Sequence, residues 1–269
     1  MSASEGIEEC LPDSPMAVFM CNATDDPARE AHHVEQLMGK GVDGIIVTAR
    51  RADKRPTLTR PGDIPVIYVF SQVEDADACC LVPDDEGGAV LATLHLVKLG
   101  RKRIAHVTGP EHFEAVRLRR NGYRKTLAEA GLAEPDGCYL PGDWSEAWGR
   151  EAVAALFNAG RQRPDAIFCG NDQIARGIAD ALREMGVDVP DAVALVGFDN
   201  WEIVAGATRP PLTSIDMNLV EPGREAGRRL LDLIAGGTWK GVDRLPCSLI
   251  VRQSCGGQQG GRTDDGRRT

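Results

Sequence analysis

Four side chains in this sequence have types suited to holding a small polar molecule: Arg119, Trp144, Asn171 and Asp199. An indole such as that of Trp144 can cover the apolar C–H face of a pyranose, and it can equally be a half-buried loop residue. The planar fork of Arg119 can give two parallel hydrogen bonds to adjacent hydroxyls or to a carboxylate. It also belongs to the helically spaced run Arg117, Arg119, Arg120 and Arg124, which reads as a solvated face. The amide of Asn171 both donates and accepts, as a sugar hydroxyl does, or it serves a turn. Asp199, at the end of the apolar run VALVGF, can accept from two vicinal hydroxyls or cap a turn.

Catalytic machinery is not visible beside them. No strand-like run is followed by G-x-G-x-x-G, and G-x-x-x-x-G-K-[ST], H-E-x-x-H and G-x-S-x-G are missing. His32 and His33 lie in a charged helical stretch, His95 sits between leucines, and neither they nor His106 and His112 accompany a serine or carboxylate in a nucleophilic pattern. Asp84–Asp85 reads as a strand-end turn; a sugar-processing enzyme using Asp84, Asp85 or Asp199 is the weaker alternative. The expectation is a binding protein without catalytic residues, metal or cofactor.

A net charge of -9 does not suit direct phosphate contact, which needs a clustered basic surface. None of the eight cysteines forms a C-x-x-C pair, and several lie in apolar runs where cysteine acts as a small hydrophobe. They are expected to be reduced, in a cytoplasmic protein. The start MSASEGIEEC is no secretory signal, and no apolar stretch approaches the roughly 20 residues that span a bilayer.

The elements that must position the four residues are short apolar strands alternating with amphipathic helices. Strands are expected at MAVFM, GIIVTA, VIYVF, CCLV, RIAHVTG, AIFCG, VALVGFD, TSIDM and SLIVR. Helices are expected near 27–40, 87–99, 115–131, 146–159, 172–186 and 219–236, with Gly160, Gly186 and Gly236 closing three of them. Strands that are apolar throughout imply parallel sheets covered on both faces. The expected fold class is therefore α/β, with two doubly wound parallel-sheet lobes. One lobe comprises 1–86 plus 214–240 and the other 87–213 plus 241–255, with crossings near Gly87, Thr213 and Gly241. The polar tail 256–269 is expected to be disordered. Ligands of such sheets meet the carboxyl ends of the strands.

One ordered series of motifs covers Cys21 to Ser254: DDPARE (25–30), GVDGIIV (41–47), IPVIYV (64–69), GRKRIAHVTGP (100–110), RRNGYRKTLAEAGL (119–132), GDWSEAWG (142–149), AIFCGNDQIARG (166–177), VPDAVALVGFDN (189–200) and RPPLTSID (209–216). In that order they resemble the effector-binding core of the LacI/GalR repressors. The resemblance implies a type I periplasmic-binding-protein-like fold, a homodimer and a small-molecule effector, usually a sugar or nucleobase. It implies that Trp144, Arg119, Asn171 and Asp199 contact the effector. Asp172, which follows Asn171 at the start of the next helix, is well placed as its N-cap. Trp201 could line the pocket or cover the surface between lobes. A solute-binding protein of a sugar transporter shares the fold and is the alternative of another class.

Two departures stand out. Family members often carry Asp-Arg after the strand matching IPVIYV, whereas this sequence has Phe70-Ser71, which adds Phe70 as an apolar ligand-binding candidate. The sequence also begins at a point resembling the end of the family's first core helix. The expectation is that the first strand of the amino-terminal lobe is missing, as is the headpiece through which operator DNA would be bound.

Overall fold

Alternating strands and helices are what the computed structural model contains, over residues 3–10, 16–58, 64–158 and 162–257. In chain order the first elements are α1 (Ala3–Glu9), α2 (Pro27–Gly39), β1 (Ile45–Thr48), β2 (Lys54–Arg55), β3 (Val66–Val69), β4 (Gln72–Val73) and β5 (Cys79–Pro83). Then come α3 (Asp85–Lys98), β6 (Ile104–Thr108), α4 (Glu114–Glu129), β7 (Tyr139–Pro141), α5 (Glu146–Leu156), β8 (Ala166–Cys169) and α6 (Asp172–Glu184). The last are β9 (Ala194–Phe198), α7 (Glu202–Ala207), β10 (Thr213–Asp216), α8 (Val220–Ile234), β11 (Gly241–Leu245) and β12 (Ser248–Ile250). Gly160 and the expected disordered tail from residue 258 onward lie outside the described residues. Among those residues no helix is long and apolar enough to cross a membrane, and no cluster of His, Cys, Asp and Glu could hold a metal ion.

The chain divides into two units, Met1–Asp84 with Met217–Cys247 and Asp85–Asp216 with Ser248–Thr269. The first holds a four-stranded parallel sheet in the order β1-β3-β5-β11. Its strand β3 is buried along its whole length, as a central parallel strand must be. The short pair β2 and β4 forms a separate two-stranded sheet.

Two features of this unit differ from expectation. Residues 16–20 (MAVFM) form no strand, and Val18, Phe19 and Met20 are exposed. An apolar run becomes a strand only where a neighbour takes its backbone hydrogen bonds, and no described strand lies beside this one. Conversely, Gly241–Leu245, expected in the other lobe, pairs in parallel with Cys79–Pro83. The passage into the second unit therefore falls between Cys247 and Ser248, not near Gly241. GVDRL is a polar edge strand, the kind whose sequence hides its pairing.

The second unit holds a six-stranded sheet in the order β12-β10-β9-β8-β6-β7. All its pairings are parallel except that of β12 with β10. Strands β6, β8 and β9 are buried at every residue, and the registers Ile104↔Ala166 and Ala166↔Ala194 align their amino ends. Core side chains from β6, β8 and β9 pack with α5 and α6 through Val107, Ile167, Leu195, Val153, Ile174 and Ile178.

Helices α5 and α6 touch backbone to backbone. A Cβ added at Gly177 would stand 2.0 Å from the Glu146 carbonyl oxygen, and one at Gly149 2.3 Å from that of Ile174. Because the obstructing atoms are backbone, Gly177→Val should destabilise the chain by about 3 kcal/mol, the upper end of ordinary overpacking costs. Urea unfolding with an unchanged m value checks this; a shift below about 1 kcal/mol would mean that the helices can part freely.

Candidate functional site

The parallel strands of the second unit bring their carboxyl ends to one edge, and the four candidate residues stand there. Trp144 follows β7, Asn171 follows β8 and Asp199 follows β9, while Arg119 lies on α4 beyond β6. The ladder continues past the strand ends: Gly142 N donates to Thr108 O, Gly170 N to Val107 O and Asp199 N to Ile215 O. Each loop therefore starts from a fixed point.

Arg119 is the hub. It is 5% exposed and lies in the second turn of α4. Its Nε and Nη2 both lie on one carboxylate oxygen of Asp85, at 2.8 and 2.7 Å, and Nη1 donates to Gly170 O. The guanidinium stacks on Phe198, 3.6 Å from its centroid. It is 5.9 Å from the centroid of Trp144, and Nη2 is 3.8 Å from Asp199 Oδ1. The expected free fork is thus mostly committed within the protein. A buried cation needs a buried counter-ion, and Asp85 at the start of α3 provides it.

Trp144 is half-buried, and its indole lies against the backbone of Gly109, where a Cβ would stand 2.2 Å from the ring. The Phe113 ring flanks it at 6.2 Å. Asn171 is the N-cap of α6, its Oδ1 accepting from Ile174 N at 2.8 Å. That corrects the assignment of the cap to Asp172. Asn171 is in the extended conformation an N-cap needs, whereas Asp172 is already inside the helix. The cap leaves the Asn171 amide nitrogen as its remaining polar group.

Asp199 has φ 99°, a left-handed conformation uncommon outside glycine. Its carboxylate accepts no hydrogen bond from any described residue, and its side chain is 35% exposed. Burial raises its pKa to about 6, Arg119 opposes the rise and Asp85 adds to it. Phe70 belongs to the first unit, where it follows β3 and packs beside Ile67, Val69 and Leu81. Trp201 is about half exposed and anchored through its backbone N, 2.7 Å from Asp172 Oδ2.

Residue types and spacing did not single out Asp85, Gly109 or Ser214 as supports of this edge. In the sequence Asp85 reads as part of a strand-end turn or as a spare acid, and nothing there links it to Arg119, 34 residues on. Its carboxylate is committed to that guanidinium, so it is not a spare acid. His106 is buried, stacked on Phe168 and bonded through Nδ1 to the Phe168 carbonyl. Burial lowers its pKa to about 4, which keeps it neutral.

Asp172 is 1% exposed and accepts from Ser214 Oγ and Trp201 N. Burial pushes its pKa up to about 7; the Ser214 hydrogen bond opposes this and Asp199 adds to it. The folded state therefore holds a proton that the unfolded chain releases near its ordinary value of 3.8. The stability this proton contributes is fully present below that ordinary value and is lost as pH rises through about 7. Asp172→Asn should flatten the fall in unfolding free energy across that interval, measured by urea unfolding at a series of pH values. An unchanged slope would contradict the assignment.

Residues 93–255 match the family model described as a periplasmic binding protein-like domain. The ribose operon repressor of Escherichia coli is 32% identical over 231 residues, spanning 85% of this chain and 68% of that protein. The HTH-type transcriptional repressor PurR of Vibrio campbellii is 31% identical over 255 residues, spanning 93% and 75%. Among solved structures, the lac repressor dimer bound to operator and the anti-inducer ONPF is 27% identical. It superposes with a TM-score of 0.69 over 84% of this chain and 78% of that one. The complex of the transcriptional regulator CelR with cellobiose is 28% identical, with a TM-score of 0.68 over 85% and 70%. These relatives are transcriptional regulators, which disfavours the transporter reading. The matched family, the repressor relatives and the parallel-sheet units together establish that the chain belongs to the LacI family of transcriptional regulators, of which it spans the periplasmic-binding-protein-like core.

Proposed function

We propose that the sheet edge bearing Trp144, Arg119, Asn171 and Asp199 seats a polyhydroxylated effector of the sugar class. The observation that carries this reading is what stands around Arg119: the Trp144 indole 5.9 Å from its guanidinium, the Asp199 carboxylate 3.8 Å from Nη2, and the Gly170 carbonyl, one residue before Asn171, that accepts from Nη1. The apolar face supports a sugar ring, and the carboxylate accepts from vicinal hydroxyls. Two relatives point the same way by name, one repressing a ribose operon and one complexed with cellobiose.

Effector occupancy shifts the balance between conformers that favour and disfavour operator binding. Linkage then requires operator DNA to change effector affinity by the same factor. In this reading the regulator acts in the cytoplasm as a homodimer. No catalysis is assigned to the core.

Calorimetry against D-ribose, cellobiose, further pentoses and hexoses, and nucleosides tests the reading. A sugar is expected to bind, and Trp144→Ala should weaken it about tenfold, the scale of one well-seated aromatic contact. A sugar whose affinity is indifferent to Trp144→Ala would overturn the site.

A further inference from the structure

Two consecutive residues at the proposed effector edge are left-handed, Asp199 with φ 99° and Asn200 with φ 47°. Such a pair persists only where its surroundings over-determine it. The surroundings here converge on Asn200. Its backbone N donates to Ser214 Oγ at 3.1 Å, and its Nδ2 donates to Asp216 Oδ2 at 3.0 Å. Its Oδ1 accepts from Arg252 Nη2 at 2.7 Å. Arg252 is itself fixed, donating through Nη1 to Leu212 O and through its backbone N to Thr213 Oγ1, both at 2.8 Å. On the far side, Trp201 N is held by Asp172, which also accepts from Ser214 Oγ.

We propose that Asn200 is the positioning residue for Asp199: its three-way clamp to β10 and to the segment after β12 holds the Asp199 carboxylate at the effector edge, beside Arg119. Both ends of the Asn200 amide are committed within the protein, so Asn200 acts through Asp199 and does not itself meet the effector. Asparagine suits the post because it tolerates the left-handed region better than other branched or bulky side chains and carries one donor and one acceptor. The proposal rests on the reading that Asp199 contacts the effector, and its first test does not depend on that reading.

A crystal structure of the unliganded Asn200→Ala chain is the first test. Asp199 should leave the left-handed region and its carboxylate should move away from the 3.8 Å approach to Arg119. An unmoved Asp199 overturns the proposal. The second test titrates D-ribose and cellobiose by calorimetry. Asn200→Ala should weaken whichever sugar binds at least tenfold, and should add nothing once Asp199→Ala is present. Asn200→Asp should weaken it too, and Asp216→Asn combined with Asn200→Asp should restore it, since the lost hydrogen bond is rebuilt with reversed polarity. Additive losses, or no rescue in a chain with a wild-type melting temperature, count against positioning. If neither sugar binds the wild-type chain, the reading for those sugars fails, while the crystal structure still decides the role of Asn200.

Discussion

Asp85→Ala is expected to cost about 3–5 kcal/mol of unfolding free energy, because it strands a buried guanidinium. Asp85 and Arg119 have side chains only 2% and 6% exposed, and the two contacts between them fall on one carboxylate oxygen. Solvent cannot replace the lost partner. The nearest remaining acid is Asp199, 3.8 Å from Nη2, so Arg119 should turn toward it and occupy the carboxylate proposed to meet the effector. Stability and ligand affinity should therefore fall together. Replacing both members, with Asp85→Leu and Arg119→Met, should recover much of the stability, because two buried charges are then removed instead of one. Urea unfolding of the single and double variants measures this. A loss below about 1 kcal/mol for Asp85→Ala would show that the pair is hydrated or loosely held.

Asp199→Ala is expected to do the opposite. Its carboxylate accepts no hydrogen bond from a described residue, so its removal should change unfolding free energy by less than about 1 kcal/mol. Ligand affinity should fall by about 1.5–3 kcal/mol, roughly 10- to 150-fold, the worth of a hydrogen bond to a charged group. Calorimetry and thermal melting on the same preparation separate the two. A drop in melting temperature with affinity unchanged would make Asp199 a structural residue.

The buried strands of the second unit could be read from the sequence because each is covered on both faces and therefore apolar throughout. RIAHVTG, AIFCG and VALVGFD became β6, β8 and β9. The same rule failed at both extremes of the first unit. MAVFM has the composition of a strand and lacks a neighbour, whereas GVDRL has a neighbour and the composition of a surface loop. Pairing is a property of two segments, and hydropathy describes only one.

At the candidate edge, residue types and spacing suggested what each side chain could do, and chain order alone could not tell which groups were already committed. Arg119 reads in the sequence as a free fork, whereas in the fold its guanidinium is held by Asp85. Asn171 and Asp172 are adjacent and both suit an N-cap, and only the backbone conformation decides between them. The left-handed turn at Asp199 and Asn200 has no sequence signature stronger than the presence of Asp and Asn themselves.

The most direct measurement is a crystal structure of this chain grown with D-ribose or with cellobiose. The sugar ring should lie over the Trp144 indole, with hydroxyls within hydrogen-bonding distance of the Asp199 carboxylate and the Asn171 amide nitrogen. A sugar bound elsewhere, with these three side chains untouched, would contradict the account.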